Sequence, residues 1–132
     1  MKVEELMVGD FVYHKVKNID GSFRTDIEQL NEGILRELLS GTSIYFSIKD
    51  YSPVPLTAEI LEKNGWVFME GQDYSTFPVP SKWTRQFVPF ALKVDGETYS
   101  IANTFTIKYV HELQRALRCA GLWELANSFR VN

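Results

Sequence analysis

The sequence predicts an α+β protein: an N-terminal small curled β-sheet or SH3-like barrel, followed by a helix, an antiparallel sheet and a C-terminal amphipathic helix. Three observations predict this class. Short β-branched and aromatic runs separated by Gly-Asp, Asp-Gly and Ser-Gly turns fill the first fifty residues. Asp95-Gly96 sits between two alternating runs, as a hairpin requires. Lys108 to Gly121 repeats its apolar residues at helical spacing.

In chain order, Gly9-Asp10 leads into a strand over Phe11–Val16, and Asp20-Gly21 into another over Phe23–Leu30. Gly33 to Leu39 satisfies helical and strand spacing equally. Ile44 to Ile48 reads as a third strand, and Tyr51 to Leu56, with Pro53 and Pro55, as an extended connection. This connection divides the chain into a barrel-like part, 1–54, and an α+β part, 55–132, that are able to share one core. Thr57 and Gly65 bracket a short helix, capping its start and permitting its left-handed stop. Trp66–Met69 reads as a strand and Glu70–Gln86 as a long irregular loop rich in Pro and aromatic residues. Strands follow over Phe87–Val94, Glu97–Ile101 and Thr104–Ile107, and then the last helix, with a short turn over Leu122–Ser128.

With 132 residues and 45% of them hydrophobic, the chain has the material for a packed core. A net charge of −3 disfavours nonspecific attraction to nucleic acid, so phosphate binding would have to be local. Acidic Glu4 and Glu5 stand where a secretory signal carries an apolar run. No window approaches the roughly twenty apolar residues of a membrane span, and one cysteine, Cys119, forms no disulfide framework. These features predict a cytoplasmic protein.

His111-Glu112 opens the last helix and invites a zincin reading, which requires a second histidine one turn on. Position 115 is Arg, a permanent cation with no lone pair to donate. The other histidine, His14, lies far upstream. No nucleophile elbow, phosphate loop or catalytic constellation is present at recognisable spacing. The sequence therefore predicts no catalytic residue, no metal and no cofactor.

Two surfaces remain for a partner. On a helical wheel Tyr109, Val110, Leu113, Ala116, Leu117 and Ala120 fall on one side, and Lys108, His111, Arg115 and Arg118 on the other, which predicts a solvent-facing basic row. The second surface is the aromatic stretch holding Tyr74, Phe77 and Trp83. The competing reading is that the rings fill the core and the cations form an ordinary solvated face. The expected function is a noncatalytic accessory protein that binds a protein partner and forms a homodimer if its aromatic surplus is not fully buried. The alternatives are a nucleic-acid-binding module that uses the basic helix face, and an enzyme of unknown class.

Leu6-Met7-Val8-Gly9-Asp10-Phe11-Val12, Pro53-Val54-Pro55-Leu56-Thr57-Ala58-Glu59-Ile60-Leu61, Asn64-Gly65-Trp66 and Ile107-Lys108-Tyr109-Val110-His111-Glu112-Leu113-Gln114 together span most of the chain. In these blocks the chain resembles a family of uncharacterised small proteins of Bacteroides-type gut bacteria, frequently encoded in phages or mobile elements. The resemblance implies a cytoplasmic bacterial or phage accessory role and brings no activity, cofactor or partner with it.

Overall fold

The computed structural model of the chain describes residues 1–81, 86–101 and 105–131. Its elements are β1 (Phe11–Lys17), β2 (Phe23–Gln29), α1 (Glu32–Ser40), β3 (Tyr51–Pro53), α2 (Ala58–Lys63), β4 (Val67–Met69), β5 (Tyr74–Pro80), β6 (Phe87–Asp95), β7 (Thr98–Ile101), β8 (Phe105–Ile107), α3 (Val110–Cys119) and α4 (Trp123–Asn127). The class is α+β with two antiparallel sheets. The chain forms two compact units, Met1–Pro55 with Tyr109–Val131, and Leu56–Lys108. This differs from contiguous parts at 1–54 and 55–132, because α3 and α4 fold back with the N-terminal residues.

In the first unit the strand order is β2-β1-β3, and the sheet is open rather than closed into an SH3-like barrel. Phe11 pairs with Gln29 and Lys17 with Phe23, so Val12, His14 and Val16 share one face with Glu28, Asp26 and Arg24. Val12 and Tyr51 are buried on that face together with Leu6, Leu30 and Leu38, and Phe46 and Ile48 pack against them. The predicted strand at Ile44–Ile48 does not form. The Ser43 hydroxyl accepts from the Tyr45 and Phe46 amides at 3.2 and 3.0 Å, so a local turn takes donors that a strand would use. The third strand comes instead from Tyr51–Pro53, where Pro53 is tolerated because β3 lies at the sheet edge.

The ambiguous Gly33–Leu39 segment is helical, and its ends decide it. The Asn31 side chain accepts from the Ile34 amide at 2.8 Å, and Gly41 closes the helix in the left-handed conformation.

The second unit is a meander in which β4-β5-β6-β7-β8 are neighbours in chain order. Within the expected loop over Glu70–Gln86, residues Tyr74–Pro80 form β5, paired with β6 from Tyr74↔Lys93 to Pro80↔Phe87. Pro78 stands opposite Pro89, and the Ser81 amide bonds the Gln86 carbonyl at 2.9 Å. Even-numbered β5 residues therefore aim their amide positions away from β6, and β4 reaches only as far as Thr76. Pro78 and Pro80 cost the ladder no hydrogen bond there, which is why prolines are compatible with this strand.

Strand alternation gives this sheet two faces. Ser75, Val79, Leu92, Tyr99 and Ile107 are buried on one, where α2 supplies Leu61 and Trp66 packs on Phe77 and edge-on to Phe90. Thr57 caps α2 by accepting from the Ile60 amide at 3.3 Å. Gly65 ends it at φ 84°, and a Cβ there would lie 3.2 Å from the Phe77 ring.

Both constraints act at one position, so Gly65→Ala is expected to lower unfolding free energy by at least about 1 kcal/mol. Urea denaturation followed by Trp fluorescence measures it; an unchanged midpoint would show that the α2 terminus relaxes without cost.

Candidate functional site

Gln114 on α3 organises the polar interior of the first unit. It is fully buried, and its amide is saturated by backbone: Oε1 accepts from the Phe11 amide at 3.0 Å, and Nε2 donates to the Gly9 and Ala126 carbonyls at 2.8 and 2.9 Å. One turn further on, Arg118 reaches the same N-terminal segment. Its Nη1 donates to Asp10 Oδ1 and its Nη2 to Asn127 Oδ1 at 3.2 Å, with the guanidinium over the Trp123 ring at 5.7 Å. Asp10 in turn accepts from the Met7 amide at 2.8 Å. Both partners of the Arg118–Asp10 pair are buried. Gly9 lies so close that a Cβ would stand 2.6 Å from Asn127 Oδ1.

This arrangement corrects the expected basic row. Buried positions on α3 are Val110, His111, Leu113, Gln114, Leu117 and Arg118, an arc centred near Gln114. It is rotated by about a quarter turn from the purely apolar stripe. Ala120 is consequently exposed, while His111 and Arg118 lie inside. Arg115 is exposed and donates to the Glu5 carbonyl, so it ties the N-terminal turn to the helix. Lys108 is exposed and belongs to the other unit. The four residues do not form a continuous face for phosphates. Gln114 falls at the border between the apolar stripe and the basic side of the wheel, so its place in the sequence implies no role; its three backbone partners were not legible because two of them lie more than a hundred residues away.

The Glu of the His-Glu pair caps its helix: Glu112 Oε1 accepts from the Tyr109 amide at 3.1 Å. His111 is only 2% exposed, its ring parallel to Tyr109, and among the described residues neither ring nitrogen has a hydrogen-bond partner. Glu5 Oε2 is 3.6 Å from Nε2, beyond hydrogen-bond reach. Burial holds the imidazole below its ordinary pKa, against the opposing pull of the Asp10, Glu112 and Glu5 carboxylates.

A second histidine was not assigned a role by its sequence context. His14 Nδ1 lies 2.8 Å from Glu28 Oε2, and its ring stacks on Tyr51 at 4.2 Å between centroids. The Tyr51 hydroxyl is raised well above its ordinary pKa by burial first and by the Glu28 charge second. A carboxylate beside an imidazole is two parts of a nucleophilic triad, but Glu28 Oε2 makes no hydrogen bond among the described residues, so its closeness to His14 is not the oriented pair that a triad needs. Among the described residues no hydroxyl or thiol hydrogen-bonded to His14 completes it. Cys119 is a free, exposed thiol. No group of three His, Cys, Asp or Glu side chains among the described residues is placed to hold a metal.

Of the second predicted surface, Tyr74 is exposed on β5, whereas Phe77 points to the α2-covered face against Trp66. Trp83 lies outside the described residues. What the sequence did not show is the uncovered face of the sheet. Val67 and Met69 of β4, Tyr74 and Pro78 of β5, and Phe87 and Pro89 of β6 alternate onto it, with Val67 58% and Phe87 73% exposed.

No protein-family model matches the chain, and no curated protein or solved structure matches it either.

Removing Asp10 leaves the buried Arg118 cation uncompensated, so Asp10→Ala is expected to cost about 3–5 kcal/mol of stability in chemical denaturation. A cost below about 1 kcal/mol would mean that water reaches the guanidinium. His111 carries a pH signature of known sign. Its folded pKa is depressed, so its contribution is intact above the unfolded value of about 6.5 and is lost as pH falls toward the folded value. Wild type is therefore expected to lose stability relative to His111→Leu as pH falls below about 6.5; parallel pH profiles would contradict this.

Proposed function

We propose that the chain is a noncatalytic interaction module that takes a protein partner on the uncovered face of its five-stranded sheet. The observation that supports this reading is the row of outward apolar side chains Val67, Met69, Tyr74 and Phe87, extended by Pro78 and Pro89, all exposed on the sheet face opposite the one that α2 packs against. Contiguous apolar surface on a folded domain is costly to leave in water and is a common mark of a contact site. Lys93 lies beside Tyr74 on the same face, so the fitting partner presents an apolar patch with a carboxylate at its rim. Side chains rather than backbone carry the contact, since Pro78 and Pro80 remove the outward amides through which a strand would add to β5.

The nucleic-acid alternative draws less support, since His111 and Arg118 of its basic row are buried and the net charge of −3 offers no general attraction to phosphate. The resemblance to small phage- and mobile-element-encoded proteins supports an accessory role in a bacterial cytoplasm. No helix among the described residues is long and apolar enough to cross a membrane.

Affinity purification from host lysate with wild type and with the Tyr74→Lys/Phe87→Lys double variant tests the proposal. A partner retained by wild type and lost by the variant is expected, and a tenfold or greater loss of affinity follows from two apolar anchors replaced by buried charge. Recovery of the same proteins with both baits, or of none with wild type, overturns it.

A further inference from the structure

The outer edge of β2 in the first unit is an unpaired sheet edge among the described residues. The Asn18 amide donates to the Ser22 carbonyl at 2.7 Å and the Leu30 amide to the Asp10 carbonyl at 2.8 Å. These bonds frame the β1–β2 ladder, in which paired residue numbers sum to the same value as 18 with 22 and 10 with 30. Arg24, Asp26 and Glu28 therefore bond inward to β1, and Phe23, Thr25, Ile27 and Gln29 turn their amides and carbonyls outward. Among the described residues those outward groups of Phe23, Thr25 and Ile27 have no backbone partner. A seven-residue edge without a proline is a template for strand addition.

We infer that the strand that adds here is β2 of a second copy of this chain, antiparallel and centred on Thr25. Charge selects both occupant and register. Centred on Thr25, Arg24 faces Asp26 of the second copy and Asp26 faces its Arg24, while Phe23 faces Ile27 and Thr25 faces Thr25. Centring on Asp26 sets Arg24 against Glu28 but places two Asp26 carboxylates directly against each other between those pairs. Centring on Arg24 opposes two guanidiniums, and centring on Ile27 sets Asp26 against Glu28. One self-complementary register survives, as a two-fold contact requires. In it Phe23, Thr25 and Ile27 make the hydrogen-bonded pairs, and Arg24 and Asp26 form the close, non-hydrogen-bonded pairs whose side chains meet.

The side chains are already poised for this. Arg24 Nε lies 3.3 and 3.2 Å from the two oxygens of Asp26 in its own chain, and Nη1 donates to Asn18 Oδ1 at 2.7 Å, so the guanidinium is held along the strand. Both partners remain about half exposed. Phe23 is 58% exposed with Lys15 Nζ 4.3 Å above its ring, and Ile27 of the second copy covers its open side. The resulting continuous sheet removes a free edge from each copy.

Sedimentation velocity of the whole chain from about 10 to about 500 μM, a range spanning weak to moderate self-affinity, tests this with two charge variants. Wild type is expected to dimerise, and to dissociate on raising salt to about 1 M. Arg24→Asp and Asp26→Arg alone each set like charges opposite one another, and each is expected to weaken the dimer by about tenfold or more. Mixing the two variants restores opposite charges at both cross-copy pairs, because one chain then carries two carboxylates and the other two guanidiniums. A heterodimer is therefore expected at wild-type strength. A monomeric wild type over the whole range overturns the inference, as do single variants that dimerise like wild type or a mixture that stays monomeric. The salt series needs no variant, and a dimer indifferent to salt counts equally against the pairing. Loss of the Tyr74 and Phe87 contact leaves every one of these outcomes unchanged, so the two surfaces fail or stand separately.

Discussion

The buried Arg118–Asp10 pair, with Gln114 beside it, is the constraint on which the first unit depends. Two charges removed from water are costly to hold unless their hydrogen-bonding capacity is met, and here the Met7 amide and the Asn127 side chain meet much of it. Gln114 performs a related task for backbone, bonding the Phe11 amide and the Ala126 carbonyl, and it shares the Gly9 carbonyl with the Gln29 side chain, which donates to it at 3.2 Å. Residues from the start of the chain, from α3 and from α4 are thereby bound into one polar core. This explains why the unit is discontinuous in sequence, with the second unit inserted between Pro55 and Tyr109. The close approach at Gly9 leaves no room for a side chain, so local backbone choice and long-range packing agree.

Both sheets are open, and they manage their edges differently. The second unit carries a three-residue β4 and a three-residue β8 at its ends, and it places Pro78 and Pro80 where β5 extends past β4. Those devices suppress strand addition to this sheet. The first unit does the opposite on β2. Seven residues run without a proline, and their alternating charges repel most copies of the same strand except in one register. An edge of this kind is selective rather than blunt, which separates a built contact from an aggregation hazard.

Much of the architecture was legible where local chemistry is decisive. Thr57 and Gly65 mark the ends of α2, Asp95-Gly96 marks the β6–β7 turn, and the aromatic and β-branched runs mark β1 and β2, because capping and turn geometry involve residues a few positions apart. The reading failed where distant partners decide. Tyr74–Pro80 contains two prolines and reads as a loop, yet forms β5 because its missing amides face away from the ladder. Ile44–Ile48 has strand composition, yet Ser43 diverts its amides into a turn. The α3 wheel was divided by hydrophobicity alone, and that division placed His111 and Arg118 in solvent when both are interior.

Of the candidate sites, the sequence by itself determined that Arg115 rules out a paired-histidine metal helix, that no nucleophile stands in a recognisable motif, and that the core or an interaction surface must be rich in aromatic rings. Those conclusions rest on residue identity and short spacing, which a chain carries whether folded or not. Only the tertiary structure decided which aromatic side chains are covered, turning Phe77 inward and leaving Phe87 and Tyr74 outward. It also decided that Arg118 is an internal ion-pair partner rather than a phosphate contact. The reason is the same in each case: burial of a charge or a ring depends on what lies opposite it, and the groups opposite Arg118 and Gln114 arrive from the far end of the chain.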